Sequence, residues 1–455
     1  MEILIIKLGA KGDVLRTLPV LIALKKKYPD SNITWITKRE SEEIVKNSPF
    51  VKRVIISPFV PTEEYDLLYN FDIEEEATKI AMHTKANKKY GFYSDNGYLS
   101  SYNLSSEYYL NTIFDDELKK NNKKTYQEMI FESAEIDYKK QHHPIFLSES
   151  DKELGRNFLK KNNIINKVIG IHMGASSRWP SKVWHEEKVK EFIKKSKENN
   201  YEIVLFGGPN EIEKHDGLIK NLEKENIYVY RNNPNNTDTE FASLVNICDY
   251  MVCSDSFSLH VSIALKKSTI GLFFCTPPNE VEDYGILKKI NSPLLYEFFP
   301  EKCDQYSEEL TKTISPEKVF LSIKEFENEI RVVNAIIKYN QNILIIKRKE
   351  GIHKGKWAFP GGITERYETT GEALERELKE EVNLNLKKII KKISEFEYPR
   401  ENNKITKGEC YLVETEDILV KKNEEIEDFK WIGINDIEKF NLIEGLDEEI
   451  SDCFK

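Results

Sequence analysis

The stretch EILIIKLGAKGDVLRTLP, Glu2 to Pro19, reads as a strand, a tight loop and the start of a helix. The apolar run ends at Lys7, and Leu15, Leu18, Ile22 and Ala23 then recur at helical spacing, which predicts one helix continuing past Pro19. A proline inside a helix breaks a local rule, and such conflicts cluster at functional sites. Gly9 and Gly12 let the backbone come close to a ligand. The loop is not a GxxxxGK[ST] phosphate loop, because Asp13 follows Gly12, and GxGxxG is absent. Asp13 is either a helix N-cap or a functional carboxylate, and the loop alone leaves both open.

The same strand-then-helix rhythm runs through the first 330 residues. EILIIK at 2–7, NITWIT at 32–37, KRVII at 52–56 and DLLYNF at 66–71 read as strands. A polar region at 115–144 interrupts the pattern, and its His142-His143 pair reads as loop surface. A second series follows: KVIGIHM at 167–173, YEIVLFG at 201–207, IYVY at 227–230, DYMVC at 249–253 and STIGLFF at 268–274. Strands alternating with helices predict parallel sheets, here two Rossmann-like halves with ligands bound beyond the carboxyl ends of their strands. From Arg331 the pattern changes. RVVNAIIKYNQNILIIKRKE predicts a hairpin, followed by a glutamate-rich helix, further strands and a closing helix, a small α+β unit.

A chain of 455 residues with 40% hydrophobic and 11% aromatic content is long enough for two or three packed cores. A net charge of −10 argues against broad nucleic-acid binding. The six cysteines form no CxxC pair and read as free thiols in a reducing compartment. With no apolar run of membrane-spanning length and no cleavable leader, the expected location is the cytoplasm, with peripheral contact at the inner face of the membrane left open.

The stretch GGITERYETTGEALERELKEEV, Gly361 to Val382, packs seven glutamates and two arginines into 22 residues. Thr369 and Glu372 have capping-box spacing, and Leu374, Leu378 and Val382 form an apolar stripe. Glu377, Glu380 and Glu381 then share another face, where mutual repulsion favours a hard divalent cation among them. The spacing of Gly362, Glu368, Arg376-Glu377-Leu378 and Glu380-Glu381 resembles the Nudix box, and the preceding WAFPGG, including Gly361, and the Glu425-x5-Trp431 feature are similar to that family. Two positions depart from it, Asn383 at the closing glycine and Tyr367 at the glycine before the first glutamate. The resemblance implies that Glu377, Glu380 and Glu381 bind Mg²⁺ or Mn²⁺, and that Arg376 orients a glutamate bidentately, with Glu368 a partner or a further ligand. Catalysis by Arg376 and Glu380 on a nucleoside diphosphate linked to another group would follow.

Residues 1–325 resemble family 9 glycosyltransferases, which include the lipopolysaccharide heptosyltransferases, through the KxxxxGDxxxTLP motif of Lys7 to Pro19. That resemblance implies the GT-B architecture and inverting transfer from a nucleotide sugar such as ADP-heptose, with no cofactor required in this half. Asp13 would be the general base, its pKa lifted toward neutrality by partial burial. Lys7 and Gly12 would belong to the ligand-binding loop. GASSRWPSKVW, Gly174 to Trp184, resembles a phosphate-contacting loop in which Ser177 stands where the family often has lysine, leaving Arg178 or Lys182 to hold the diphosphate. Glu211, in FGGPNE, would accept hydrogen bonds from the nucleoside. Asp255-Ser256-Phe257-x-x-His260 resembles the family's D-T/S-G-x-x-H, with Phe257 in place of glycine, and His260 reads equally as functional or structural.

The combined expectation is α/β: an acceptor domain at 1–150, a donor domain at 151–328 and a Nudix domain at 329–455. The expected partners are a nucleotide-sugar donor, a glycan or lipid-linked acceptor and a nucleoside diphosphate derivative, with no nucleic acid. The alternative is a transferase half that only binds sugar nucleotides, as a scaffold for an active hydrolase; Ser177 and Phe257 motivate it.

Overall fold

Ile3, Leu4, Ile5 and Ile6 expose no surface at all, as a parallel strand covered by helices on both faces requires. The structure is a computed structural model, and the residues it describes are 1–174, 176, 178–350, 353–365, 368–400 and 404–453. They fall into two units: Met1–Ile136 with Gln141–Lys324, and Glu325–Lys455 with the short piece Asp137–Lys140.

The first unit holds two six-stranded sheets. Strands β1 (Glu2–Ile6), β2 (Asn32–Thr37), β3 (Arg53–Ile56), β4 (Tyr65–Asn70), β5 (Ala86–Asp95) and β6 (Tyr98–Ser101) lie in the order β3-β2-β1-β4-β5-β6. All neighbours are parallel except β5 and β6. That last pair is a hairpin turned by Asn96 and Gly97, both at positive φ, an Asn-Gly signal overlooked in the sequence. The second sheet contains β7 (Val168–His172), β8 (Glu202–Phe206), β9 (Tyr230–Arg231), β10 (Tyr250–Ser254), β11 (Ser268–Phe273) and β12 (Leu287–Asn291), all parallel, in the order β12-β11-β10-β7-β8-β9. The direction of winding reverses between β1 and β4 and between β7 and β10. At those switch points the connecting loops part and open a crevice.

Two expectations change here. The predicted long helix is two, Lys11–Thr17 and Pro19–Lys27, with Pro19 at the first turn of the second. A proline there lacks only an N–H that would have had no helical partner, so no rule is broken. The predicted strand at 227–230 shrinks to Tyr230–Arg231 at the sheet edge.

The second unit is built on β13 (Glu329–Tyr339), β14 (Asn342–Arg348), β15 (Trp357–Ala358), β16 (Gly361–Ile363), β17 (Leu386–Pro399), β18 (Ile405–Thr415) and β19 (Ile426–Gly433). The path is β15-β14-β13-β18-β17, with β16 on β13 and β19 on β14, and only β13 and β18 run parallel. The predicted hairpin is present, but β13 and β14 pair only at its tip before separating. The glutamate-rich helix spans Thr370–Val382, with Thr369 and Glu372 forming a reciprocal capping box and Asn383 ending it in the left-handed conformation. Its buried Ala373, Leu374, Leu378 and Val382 pack with Val333, Ala335 and Leu344 in one core of the unit. A second core gathers Ile336, Ile345, Cys410 and Leu412 with Leu446 and Ile450 of the helix Leu446–Asp452. Among the described residues, all six cysteines are free and buried, and no helix is long and apolar enough to cross a membrane.

Candidate active sites

The loop after β1 is fastened from below. Lys7, read as ligand-binding, is buried; its Nζ donates to the Phe71 carbonyl at 3.0 Å and lies 3.3 Å from Asp72 Oδ2. The same Asp72 oxygen accepts the N–H groups of Leu8 and Gly9 at 3.0 and 2.7 Å. Asp13 opens above this platform in the first turn of Lys11–Thr17, with 34% of its side chain exposed. Arg16 donates twice to Asp13 Oδ1, at 3.1 and 2.8 Å, and its guanidinium lies 3.8 Å from the centre of the Tyr126 ring. Packing around Asp13 would raise its pKa, but the charges of Arg16, Lys7 and His260 and the Arg16 hydrogen bond outweigh it, so the carboxyl sits below its usual range. The expected lift toward neutrality is therefore reversed.

Residues after β7 and β10 face this loop from the second sheet of the same unit. A Cβ on Gly12 would meet His260 Cδ2 at 2.8 Å, so only glycine lets the two helices come this close. Lys11 pairs with Asp238 at 2.7 Å and lies 5.7 Å from the ring centre of Phe257, which itself stacks on Phe241. Lys182 donates to Asp255 Oδ2 at 2.8 Å and to its carbonyl at 3.2 Å. Burial opposes the charge on Asp255, yet Lys182 above all, with His260 and Arg16, holds this carboxyl far below its usual value. Burial and Arg16 push His260 down to about 4, so at pH 7 it is neutral; its Nε2 is 3.9 Å from Asp255 Oδ1 and its Nδ1 has no partner among the described residues. Arg178 stays exposed beside the Trp179 ring. Ser256 begins the helix Phe257–Ala264 without a side-chain cap, its Oγ 3.4 Å from His172 Nδ1. Glu211 is buried, accepts the Gly208 N–H at 2.8 Å, and stands where a Cβ on Gly174 would meet it at 2.9 Å. Ser177 lies outside the described residues.

His142 and His143 are buried, contrary to their reading as loop surface. Their Nε2 atoms donate to the Ile263 and His260 carbonyls of the helix Phe257–Ala264 at 2.7 and 3.0 Å. The polar run at 115–144 likewise hides the helix Tyr126–Ser133, whose Tyr126, Met129, Ile130 and Phe131 are buried. Sequence reading missed Tyr126, Arg16, Asp72 and Glu280, whose carboxyl is raised by burial against the pull of Arg16. Only Arg16 left a local signal, three residues after Asp13 on one helix face.

In the second unit, Glu377 and Glu381 are buried while Glu380 is largely exposed. Arg376 lies bidentate on Glu368, with both bonds at 2.9 Å, and also reaches Glu377 at 2.7 Å, Glu380 at 3.0 Å and the Ile363 carbonyl at 3.0 Å. Arg348, also missed, donates to Glu381 and to the Gly361 carbonyl, while the Gly361 N–H donates to Glu381 at 2.8 Å. Gly361 has φ +147°, and a Cβ there would strike the Val333 carbonyl at 2.1 Å. A Cβ on Gly362 would come within 2.5 Å of Glu377 Oε1, so the bare glycine makes room for that carboxylate. Burial raises Glu377 against Arg376, and pushes Glu381 up to about 7 against Arg348. Among the described residues no three acidic, imidazole or thiol side chains are gathered as a metal cage; Arg376 and Arg348 stand between the glutamates and relieve their repulsion. The donor set still fits a hard cation: two buried carboxylates whose charge burial penalises, and a third beside them. Tyr367 lies outside the described residues.

Residues 60–310, more than half of the chain, match the family model described as glycosyltransferase family 9 (heptosyltransferase). The chain belongs to that family. Residues 329–452 match the NUDIX domain model, so the family 9 transferase fold is followed by a Nudix domain. The transferase part is similar to the family 9 glycosyl transferase of Veillonella parvula, with a TM-score of 0.57 and 17% identity, covering 71% of this chain and 96% of that one. The chain is also 28% identical over 117 residues to lipopolysaccharide heptosyltransferase 2 of Salmonella typhimurium, covering 26% of this chain and 32% of the relative. It is 50% identical over 52 residues to an ADP-ribose pyrophosphatase of Methanocaldococcus jannaschii, covering 11% of this chain and 31% of the relative. The chain thus spans about a third of the length of the curated relatives it matches.

Proposed function

We propose that the chain carries two activities: inverting transfer of a sugar from a nucleotide-sugar donor of the ADP-heptose kind, and divalent-metal-dependent hydrolysis of a nucleoside diphosphate derivative. The observation that carries the first is the gathering of Asp13, Asp255 and Lys182 about His260, which packs against Gly12 of the loop after β1. Arg16 binds Asp13 Oδ1, so Oδ2 is the oxygen left to take the proton of an acceptor hydroxyl as that hydroxyl attacks the anomeric carbon. Being ionised at neutral pH, Asp13 is ready to accept without first losing a proton. The leaving diphosphate would rest against Arg178, Lys182 and the start of the helix at Phe257, with Lys182 shared between it and Asp255. Glu211 and Gly174, at the ends of β8 and β7, lie where a nucleoside would sit. A glycan or lipid-linked acceptor is the partner class that the family resemblance supports.

For the second activity, Glu377, Glu380 and Glu381 would hold magnesium or manganese, which when bound supplies charge neutralisation at the phosphoanhydride and an activated water. Arg376, fixed by Glu368, keeps the helix face and the Gly361–Ile363 strand in register, and Gly362 leaves the space that Glu377 fills. The ADP-ribose pyrophosphatase relative makes ADP-ribose the first compound to try.

The test is incubation of the full chain and Mg²⁺ with ADP-ribose and a panel of nucleoside diphosphate sugars, followed by phosphorus NMR. Sugar phosphate plus nucleoside monophosphate, lost in Glu380→Gln, is the result expected of the hydrolase. Intact nucleoside diphosphate released only when acceptor is present, and lost in Asp13→Ala, is expected of the transferase. Transfer unchanged in Asp13→Ala, or hydrolysis unchanged in Glu380→Gln, would overturn the respective half.

A further inference from the structure

The stretch that joins the two Rossmann-like halves is divided between the two units. Asp137–Lys140 belongs to the second unit, whereas Ile136 before it and Gln141 after it belong to the first. Glu135 and Lys140 bracket the stretch in the left-handed region, at φ 52° and 56°. A residue with a side chain stays there only where its surroundings fix it.

Within the second unit the grip is specific. The Tyr138 side chain is buried, and its carbonyl accepts the Ile389 N–H of β17 at 3.4 Å. The Lys139 ammonium pairs with Glu375 of the helix Thr370–Val382, and only 12% of the lysine side chain is exposed. Lys140 Nζ lies 5.2 Å from the centre of the Tyr411 ring, within cation–π reach. Glycine is a weak helix former, yet Gly371 stands second in that helix. A Cβ there would meet the Lys139 carbonyl at 2.9 Å and the Lys140 carbonyl at 3.1 Å. The bare glycine thus lets the stretch lie against the start of the helix that carries Glu377, Glu380 and Glu381.

In the first unit the chain is fastened again at once. The Tyr284 hydroxyl donates to the Gln141 carbonyl at 3.0 Å, and His142 and His143 hold the Ile263 and His260 carbonyls. Those carbonyls belong to the helix Phe257–Ala264. A trans peptide fixes consecutive Cα atoms about 3.8 Å apart, so a shift of Lys140 passes to Gln141 and on to the two histidines. Buried and close-packed, their rings leave little slack to absorb it.

We propose that Asp137–Lys140 is a strap by which the second unit holds the link between the halves, so that a disturbance at the start of the Nudix helix reaches the helix Phe257–Ala264. The coupling runs through the backbone and does not depend on which reactions the two parts catalyse.

Hydrogen exchange read by mass spectrometry on the full chain tests this. The peptides that matter cover 135–143 and Phe257–Ala264, with β1 and β14 as controls. Gly371→Ala favours the helix as such and can only harm the strap, so quickened exchange there reports the strap. Exchange should rise about tenfold or more in 135–143 and about threefold or more in Phe257–Ala264, with both controls unchanged. Lys139→Glu sets like charges together and should quicken the same two peptides about threefold. Adding Glu375→Lys to it should restore both rates; Glu375 is 48% exposed, so it tolerates either charge. Should Gly371→Ala loosen β14 as well, the charge pair alone decides. An unchanged rate in 135–143 would overturn the docking, and 135–143 quickened while Phe257–Ala264 keeps its rate would overturn the coupling. A double variant as fast as Lys139→Glu alone would also overturn the proposal.

Discussion

Replacing Lys182 by methionine strips Asp255 of its main counter-charge while keeping the length of the side chain. The pair is 2.8 Å apart, with side chains only 14% and 17% exposed. At that separation the gross attraction is about 6 kcal/mol for an effective dielectric of about 20. Desolvation cancels much of this for the pair, but not for an orphan, so the single change should destabilise the region by about 3–5 kcal/mol at pH 7. Asp255 has a depressed pKa in the native protein, so its contribution is complete above its unfolded value of about 3.9 and is lost as pH falls through the folded value. In the variant the sign turns over. A buried carboxyl without Lys182 is raised, so the variant regains stability as pH falls from 7 through that raised value. The gap to the unaltered protein should therefore shrink between about pH 7 and pH 5. Lys182→Met with Asp255→Asn removes both charges and should lie within about 1 kcal/mol of the unaltered protein. Hydrogen exchange read by mass spectrometry on peptides covering β10 and Phe257–Ala264 measures the local stability without assuming that the whole chain unfolds in one step. A cost below about 1 kcal/mol for the single change, a gap independent of pH, or a double variant as damaged as the single one would refute the reasoning.

Asp13→Asn should lower the transfer rate by about 10²–10⁴-fold with donor affinity, read by calorimetry, nearly unchanged. Arg16→Met removes the strongest group holding Asp13 down, so the acid limb of kcat/KM for transfer should move to higher pH; an unmoved limb would show that Arg16 does not set that ionisation. Gly362→Ala puts a methyl group 2.5 Å from Glu377 Oε1 and should abolish hydrolysis while transfer and folding, read by circular dichroism, persist. Arg376→Lys keeps the charge but loses the fork that grips Glu368, and hydrolysis should fall about 10-fold or more as Glu377 and Glu380 lose the side chain that holds them in place.

The repeated strand–helix rhythm and the glutamate-rich helix were legible because their signals are local. A buried parallel strand must be continuously apolar, as Ile3 to Ile6 are, and a capped helix must begin near Thr369. Asp13, Asp255 and the glutamates could be nominated for the same reason, since each sits in a short run with fixed offsets. What misled was also local. Pro19 looked like a breach inside one helix, yet it opens a second one. The polarity of 115–144 averaged over a buried helical stripe, and so concealed Tyr126 and the His142-His143 pair.

Residues within a few positions of one another were enough to nominate most of the strands and helices, the parallel character of the first two sheets, the α+β character of the last unit and the candidate carboxylates of this chain. Arg16, which does most to hold Asp13 ionised, stands only three residues away, but it took the tertiary structure to bring His260 beside Asp13 from 247 positions away in sequence. It likewise decided that Lys182 is committed to Asp255, that Glu381 answers to Arg348, and that Gly12 must lack a side chain to admit His260. Charge and close approach act through space at a few ångströms, and no window along the chain contains both partners.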